Sequence, residues 1–231
     1  MSERKVAFFD IDKTIYDTPV FLPLSEFQLA NKIVDLECIL NLKTDTDLYK
    51  SGNVSYEEVV HRITLHWAEG LKGKDTALVL ANTKEYFSGN SSHFYPFVKN
   101  VFDLLKATHD IYLVTGEPNF VAEAVTGLFE LTGFISSKLS VSNNTYTGKT
   151  DIVLSHATDK LKALKSVRDC YTGSQSIAFG DSEGDVEMLN SVEIPVCVNP
   201  SEKLIKIALS NNWNIVNPDE IYDRVKVLLT R

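Results

Sequence analysis

Cysteine is scarce in this sequence, and no long run of apolar residues is present. The three cysteines of the 231-residue chain, Cys38, Cys170 and Cys197, are widely spaced and odd in number, so neither a disulfide framework nor a paired-cysteine metal site is predicted. We expect all three to be reduced and buried. The N-terminal apolar segment is broken by Asp10 and Asp12, which makes it too short and too charged for a signal peptide or a spanning helix. We therefore expect a cytoplasmic protein with no membrane partner.

Positive charge is scarce as well. Lysine and arginine together number 23 against 31 aspartates and glutamates, which gives a net charge of −8. This balance disfavours nucleic acid as a partner, and any anionic substrate must be bound by local groups. Because 44% of the residues are hydrophobic, the chain can build a core, as one domain with an insertion or as two modest domains.

Short apolar runs that end at a small, acidic or amide residue recur along the chain, at residues 6–9, 111–114, 176–179 and 196–198. Such runs are typical of buried strands in a parallel sheet. Helical spacing of apolar residues follows Pro96 and Asp159. Strands that alternate with helices predict an α/β fold with a doubly wound parallel sheet.

The interval 18–90 interrupts this alternation. Its pattern predicts helices only: one over about residues 24–42, one opened by a capping box at Ser55 and running to Gly70, and one over about 75–87. A helical insertion between the first and second strands can cover the sheet edge where such folds bind ligands. A second irregular stretch, 134–148, predicts a small hairpin around Asn143 and Asn144.

The strongest chemical signal is a pair of carboxylates, Asp10 and Asp12, directly after the first predicted strand. At a strand end both can reach one cleft, where one could act as nucleophile and the other could transfer protons. The alternative is an ordinary turn after a strand, in which aspartate and threonine are common. Taken alone, the motif leaves both interpretations open.

Three weaker signals occur at later strand ends and on a helix. Thr115 and Gly116 could bind phosphate oxygens, although strands often end in this pair. Lys160 could neutralise negative charge, although most helix lysines are solvated. Asp181 and Asp185 could bind Mg²⁺, or they could cap a helix N-terminus. One active site at one sheet edge accounts for all of them together.

In this ordered set, the sequence resembles the haloacid dehalogenase (HAD) superfamily, and more narrowly its phosphoserine-phosphatase-like branch, subfamily IB. The resemblance spans nearly the whole chain and is carried by residues 9–14, Leu113 to Gly116, Thr147-Gly148, Lys160 with Leu164, Gly180 to Asp185, and Val198 to Pro200. It implies that residues 18–90 form a helical cap domain, and that residues 1–17 and 91–231 form the core domain.

The resemblance also implies a mechanism. Asp10 would take the phosphoryl group as an aspartyl phosphate, and Asp12 would be the general acid and base. Dehalogenases of the superfamily lack the second acid, so a carbon–halogen substrate is not expected. Thr115, the Gly116 N–H, Lys160 and, within the first motif, Thr14 would bind the substrate.

The cofactor implied by the resemblance is Mg²⁺. Asp10 and Asp181 would ligate it through their side chains, Asp12 through its backbone carbonyl, and Asp185 directly or through water. The metal would relieve the repulsion between several carboxylates and a phosphate. The implied activity is therefore hydrolysis of a small phosphate ester by a monomer or homodimer, with phosphotransfer and non-catalytic phosphate binding as alternatives.

Departures from the branch limit the substrate assignment. Phosphoserine phosphatases carry a glutamate shortly after the first motif that binds the substrate amino group, whereas this chain has Asp17 and no glutamate there. Gly184 stands where those enzymes have asparagine, and Glu117 follows the second motif in place of a small residue. A different phosphate ester is therefore expected.

The predicted cap helix carries three candidate substrate-binding residues: Arg62 and His66, which share one helix face, and His61 at the adjoining position. The alternative is a solvated face on which Arg62 forms an ion pair with Glu58. For Trp67, packing in the core of the cap is the favoured interpretation.

Overall fold

A computed structural model describes residues 4–171 and 175–230. Its centre is a seven-stranded sheet with the order β4-β3-β2-β1-β5-β6-β7. All neighbouring strands are parallel except β3 and β4, which are antiparallel. The strands are β1 Lys5–Phe9, β2 His109–Pro118, β3 Gly133–Ser142, β4 Thr145–Ile152, β5 Ser176–Gly180, β6 Ile194–Val198 and β7 Asn214–Val216.

Helices occupy most of the segments between the strands. Four of them lie between β1 and β2: α1 Phe21–Ala30, α2 Leu36–Lys50, α3 Tyr56–Gly70 and α4 Thr76–Gly89. The others are α5 Val98–Lys106, α6 Asn119–Leu128, α7 Ala157–Arg168, α8 Val186–Asn190, α9 Glu202–Ser210 and α10 Ile221–Leu229. Within the described ranges, none of the helices combines the length and the apolar character needed to cross a membrane. The predicted fold class is confirmed.

The middle of the sheet is buried on both faces. Side chains of β1 from Val6 to Phe9 are fully buried, as are the central residues of β5. Phe9 stacks on Phe179 with ring centroids 4.0 Å apart and meets Phe102 of α5 edge-on at 5.0 Å. Continuous apolar strands of this kind require cover from helices on both sides, which is what the connections supply.

The sequence analysis predicted a single helix over residues 24–42, and this prediction is wrong. The chain forms α1 and α2 instead, because Lys32 adopts a left-handed backbone conformation (φ 60°) after the end of α1. Asp35 then caps α2, its side chain accepting a hydrogen bond from the Cys38 N–H at 2.9 Å. Apolar residues continue at helical spacing across the break between α1 and α2, so the spacing alone does not indicate the break.

The cysteines behave as predicted with one exception. Cys38 and Cys197 are buried free thiols, whereas Cys170, also a free thiol, is exposed. Cys170 lies in a short helical turn, Asp169–Tyr171, that follows α7 at the surface. The expectation that all three are buried is therefore wrong for Cys170.

The predicted hairpin forms between β3 and β4. Asn143 and Asn144 connect the strands with φ values of 50° and 59°, the conformation that two-residue hairpin turns favour. The hairpin also contacts the loop between α3 and α4. Gly73 donates to the Tyr146 carbonyl at 2.8 Å, Tyr146 donates to the Lys74 carbonyl at 2.9 Å, and Thr76 donates to the Asn144 carbonyl at 2.9 Å. Backbone hydrogen bonds therefore hold the helical insertion against the hairpin.

The four inserted helices share an apolar core with the helices of the sheet. Trp67 of α3 is fully buried and meets Phe120 of α6 edge-on at 5.1 Å. Its indole N–H donates to the Gln28 side-chain oxygen at 2.7 Å, which satisfies the polar end of the ring. Trp67 is thus a packing residue, as the favoured interpretation held.

Candidate active site

The candidate site lies at the end of β1, the strand that has β2 on one side and β5 on the other. From β1 the chain continues to β2 on one side, whereas β5 pairs with β1 on the other side. Asp10 follows β1 and Asp181 follows β5, so both leave the carboxyl edge of the sheet side by side. The Asp10 N–H donates to the Phe179 carbonyl at 3.0 Å and fixes this register. Open α/β sheets bind ligands at such a switch point.

Three buried carboxylates come together there. Asp10, Asp181 and Asp185 each place one carboxylate oxygen within 4.8 Å of the others. Asp185 is held by hydrogen bonds from the Asp181 and Ser182 N–H groups at 3.2 and 3.3 Å. Gly180 makes this fold of the chain possible, because a Cβ there would lie 2.5 Å from the Asp185 Cβ. The absence of a side chain at residue 180 therefore positions a carboxylate four residues later.

Lys160 is the cation of this sheet-edge cluster. Its Nζ donates to Asp10 at 3.1 Å and to Asp185 at 2.9 Å, and the residue is only 5% exposed. Burial acts to lower the pKa of the Lys160 ammonium, but Asp10 and Asp185 outweigh burial and hold that pKa well above its usual value. Lys160, which lies on α7, is therefore charged and forms an ion pair with Asp10 at the end of β1.

The cluster carries more negative than positive charge. Burial raises the pKa of Asp10 well above its usual value, with Lys160 opposing the rise, and burial raises the pKa of Asp181 to about 8, helped by Asp185. Three carboxylates face one ammonium group, which leaves an excess of two negative charges when all are ionised. Three convergent oxygen donors with that excess fit a divalent cation of the Mg²⁺ type.

The Asp12 carboxylate makes its hydrogen bonds outside the group of three clustered carboxylates. It accepts a hydrogen bond from the Val20 N–H at 2.9 Å and shares another with Glu117. Burial raises the pKa of Asp12 and also raises the pKa of Glu117 well above the usual range, with Asp12 adding to the second effect. Asp10 and Asp12 thus have different hydrogen-bond partners, although the charge of Asp12 also acts to raise the pKa of Asp10.

Glu117 was not among the predicted site residues. It is buried at the end of β2 beside Asp12, and its Oε2 has no hydrogen-bond partner among the described residues. The available signal was the glutamate that follows Thr115 and Gly116 in place of a small residue. The predicted strand ended before Thr115, whereas β2 continues to Pro118, and this extension carries Glu117 inward.

The remaining predicted substrate-binding residues lie near these strand ends, with Thr14 and Thr115 buried and Gly116 half-buried. The Thr115 hydroxyl accepts a hydrogen bond from the Glu117 N–H at 3.1 Å. The Gly116 carbonyl accepts a hydrogen bond from the Ser137 hydroxyl at 2.7 Å, and a Cβ at Gly116 would approach Val60 of α3 to 3.4 Å. The Thr14 hydroxyl is buried and has no partner among the residues that the structure describes. All three stay predictions as substrate-binding residues.

Arg62 and His66 lie in a different cluster. Arg62 forms an ion pair with Glu58 one helical turn away and lies 3.6 Å from the buried Asp45 of α2. His66 lies 3.1 Å from the same Asp45 carboxylate. The ion pair between Arg62 and Glu58 is the one that the alternative to substrate binding predicts. No described contact joins Arg62 to the sheet-edge cluster. We call Asp45, Glu58, Arg62 and His66 the α2–α3 cluster.

Tyr56, the first residue of α3, was also missed. Its ring faces Gly184, since a Cβ at Gly184 would lie 2.9 Å from the Tyr56 Cε1 atom. Gly184 lies in the short helical turn Glu183–Asp185 that leads to the third clustered carboxylate. The sequence offered one hint, the glycine at residue 184, but nothing in it connected that glycine to an aromatic side chain in the inserted helices.

Comparison with known protein families gives a match over most of the chain. Residues 7–190 match the haloacid dehalogenase-like hydrolase family. A phosphoserine phosphatase of Mycobacterium tuberculosis (strain ATCC 25618 / H37Rv) is 28% identical over 113 residues, which are 48% of this chain and 37% of that protein. The chain thus matches little more than a third of the length of this curated relative.

Solved structures share the fold over nearly the full length. A protein of unknown function from Bordetella pertussis Tohama I superposes with a TM-score of 0.78 at 19% identity, covering 94% of this chain and all of that one. A phosphoserine phosphatase solved as an analogue of its phospho-aspartyl intermediate has a TM-score of 0.64 at 15% identity, covering 93% of each chain. At these identities the likeness concerns the fold.

Proposed function

The chain belongs to the haloacid dehalogenase-like hydrolases, and from that premise we propose that it is a Mg²⁺-dependent phosphomonoesterase that acts on a small phosphate ester through an aspartyl phosphate on Asp10. The observation that carries the proposal is the position of Asp10 at the switch point, bonded to the buried Lys160 and clustered with Asp181 and Asp185.

In the first step a carboxylate oxygen of Asp10 attacks phosphorus. A bond forms between that oxygen and phosphorus, the bond to the ester oxygen breaks, and Asp12 gives its proton to the departing alcohol. The raised pKa of Asp12, caused by burial, favours a carboxyl that holds a proton to give. Asp12 and Asp10 act from the same loop on opposite ends of the breaking bond.

In the second step a water molecule attacks the phosphorus of the aspartyl phosphate. Asp12, now ionised, takes the water proton, the bond between phosphorus and Asp10 breaks, and inorganic phosphate leaves with Asp10 restored as a carboxylate. The charged Lys160 offsets phosphoryl charge in both steps, and Thr14, Thr115 and the Gly116 N–H hold phosphoryl oxygens.

Mg²⁺ is the cofactor that suits this donor set. The side chains of Asp10, Asp181 and Asp185 and the backbone carbonyl of Asp12 would hold it. When bound, the ion supplies positive charge that offsets the carboxylates and the phosphoryl group. In its absence like charges repel, which agrees with the raised pKa that burial and Asp185 give Asp181.

We assign the substrate to small metabolite phosphates. Residues 18–90 serve as a cap domain over the carboxyl edge of the core domain, residues 1–17 and 91–231, and limit the size of the ester that enters. Phosphoserine is not proposed, because the glutamate expected after the first motif is absent and Asp17 pairs with His93 at 2.8 Å instead.

Release of inorganic phosphate from p-nitrophenyl phosphate and from a panel of metabolite phosphates tests the proposal. We expect release that requires both Mg²⁺ and Asp10, with loss of turnover in Asp10→Asn. Asp110→Asn is a control, since Asp110 lies at the start of β2, at the opposite end of the strand from the site, where it forms an exposed ion pair with Arg4. Turnover that survives in Asp10→Asn would require another nucleophile and would overturn the assignment.

A further inference from the structure

Tyr56 is an aromatic residue of the inserted helices that faces the sheet-edge cluster. It begins α3, and the Ser55 hydroxyl caps this end by accepting a hydrogen bond from the Glu58 N–H at 3.1 Å. The cap fixes the first turn of α3 and with it the direction of the Tyr56 ring. The ring also contacts Tyr49 of α2, with centroids 6.2 Å apart.

The ring of Tyr56 occupies space that only a glycine at residue 184 leaves free. A Cβ there would lie 2.9 Å from the Tyr56 Cε1 atom and 3.3 Å from the hydroxyl oxygen. The backbone of Gly184 is not in the left-handed region, so its conformation alone would accept a side chain. The glycine therefore serves the approach of the tyrosine to the turn between Asp181 and Asp185.

The hydroxyl of Tyr56 lies in the electrostatic field of the cluster. Burial raises the pKa of Tyr56, Lys160 opposes the rise, and Asp185 and Asp10 add to it. The hydroxyl is consequently a hydrogen-bond donor that keeps its proton. Tyr56 is half-buried, and none of the described residues accepts a hydrogen bond from its hydroxyl, which leaves the hydroxyl free to donate to a ligand.

We propose that the Tyr56 hydroxyl donates a hydrogen bond to a phosphoryl oxygen of the bound ester, which makes Tyr56 a substrate-binding residue supplied by the inserted helices. This inference rests on the proposed phosphatase function. The phosphoryl group is the partner, in preference to the alcohol, because the Tyr56 ring lies against Gly184, in the turn whose two carboxylates cluster with Asp10. Every ester therefore benefits from the contact to the same extent.

Tyr56→Phe tests the proposal because it removes the hydroxyl and keeps the ring. We expect kcat/KM to fall about tenfold or more, by the same factor for p-nitrophenyl phosphate and for metabolite esters, as loss of a hydrogen bond to a charged group does. We also expect inorganic phosphate, titrated by calorimetry with Mg²⁺ present, to bind more weakly by a similar factor. Tyr49→Phe is the matched control and should change neither quantity.

Gly184→Ala provides a second route to the same contact. Its Cβ displaces the Tyr56 ring, so phosphate affinity should fall as in Tyr56→Phe, and the double variant should bind phosphate no more weakly than either single variant. Additive losses would mean that the glycine acts through something other than Tyr56, which would overturn the pairing of the two residues.

The outcomes separate this inference from the proposed function. If Tyr56→Phe keeps both the wild-type phosphate affinity and the wild-type kcat/KM, the Tyr56 contact is wrong while the phosphatase assignment stands. A loss confined to one class of ester would mean that Tyr56 contacts the alcohol, which also overturns it. If no ester is hydrolysed but phosphate binds more weakly to Tyr56→Phe than to the wild-type chain, the phosphatase assignment fails and the contact stands. A chain that neither hydrolyses esters nor binds phosphate would overturn both.

Discussion

Two clusters of the described residues place a buried carboxylate against a cation, and they differ in how exposed the cation is. In the sheet-edge cluster Lys160 is 5% exposed and contacts Asp10 and Asp185. In the α2–α3 cluster the Arg62 side chain is 41% exposed and contacts Glu58 and Asp45. Water screens the second set of charges and is excluded from the first. Electrostatic interactions are therefore stronger in the sheet-edge cluster than in the α2–α3 cluster.

The two clusters also differ in how the chain assembles them. Arg62 and Glu58 are one turn apart on α3, and α2 lies beside that helix, so neighbouring segments bring the charges together. Asp10, Lys160 and Asp185 come from separate parts of the chain, and Lys160 is 150 residues from Asp10. Convergence of distant segments on buried charges costs folding free energy, which a function at the sheet edge would explain.

After Asp10→Asn, the largest expected effect comes from Lys160→Met. Loss of the ammonium group that contacts Asp10 and Asp185 should lower kcat about 10²–10³-fold, the range found when one preorganised electrostatic group is removed. Lys162→Met is the matched control, because Lys162 lies on the same helix with its side chain 80% exposed and faces Asp159 at 3.9 Å. Steady-state phosphate release measures both, and equal activities would remove Lys160 from the mechanism.

Asp12→Asn should lower kcat about 10²-fold or more, as loss of a general acid and base does. Mg²⁺ affinity should change much less, because the Asp12 carboxylate is hydrogen-bonded to Val20 and Glu117 and only the backbone carbonyl of Asp12 would hold the ion. Phosphate release and a metal titration together measure the two effects. A loss of Mg²⁺ affinity as large as the loss of kcat would contradict the role of Asp12 in proton transfer.

The stability of the metal-free protein should fall as pH rises from about 4 to about 8. Burial raises the pKa of Asp181 in the folded state to about 8, above its unfolded value near 4. Between these values the folded state binds more protons than the unfolded state, so the free energy of unfolding decreases with pH. Mg²⁺ should therefore raise the midpoint of thermal unfolding by more at pH 8 than at pH 5.

The matched variant for this comparison is Asp181→Asn, which removes the titrating carboxyl. Its midpoint should depend less on pH and should respond less to Mg²⁺ than the midpoint of the wild-type chain. Thermal scans at the two pH values, with Mg²⁺ and with a chelator, measure this. A Mg²⁺ increment that is equal at both pH values would show that the cluster does not control the pH response.

The smallest effect is expected in the α2–α3 cluster. Arg62→Ala should change kcat/KM by less than about twofold, because water already screens its pairs with Glu58 and Asp45. The panel of phosphate esters used above measures this, with Glu58→Gln as the companion variant. A tenfold loss of kcat/KM in Arg62→Ala, with no loss in Glu58→Gln, would contradict this prediction and would indicate that Arg62 contacts the substrate.

Much of the fold was predictable because it depends on local patterns. Apolar runs placed β1 and β5, and the Asn143-Asn144 pair placed the hairpin turn, since each pattern is satisfied by neighbouring residues. The break between α1 and α2 was not predictable from apolar spacing, because it depends on the single left-handed residue Lys32 and the cap at Asp35.

The site was predictable only where its residues stand at strand ends. Asp10 and Asp181 were placed in this way, and Lys160 was placed through the resemblance to a family. Glu117 and Tyr56 were not, because a buried glutamate beside Asp12 and a ring against Gly184 result from tertiary packing that no local pattern records. Residues of the inserted helices were the hardest to assign, since their contacts depend on how those helices lie on the sheet.

The central claim is that Asp10 carries the phosphoryl group, and trapping that group tests it most directly. Acid quenching during turnover of p-nitrophenyl phosphate with Mg²⁺, followed by peptide mass spectrometry, locates the modified residue. We expect one phosphoryl group on the peptide that contains Asp10, and none in Asp10→Asn. A phosphoryl group on any other residue of a chain that turns over, or one that persists in Asp10→Asn, would contradict Asp10 as the nucleophile.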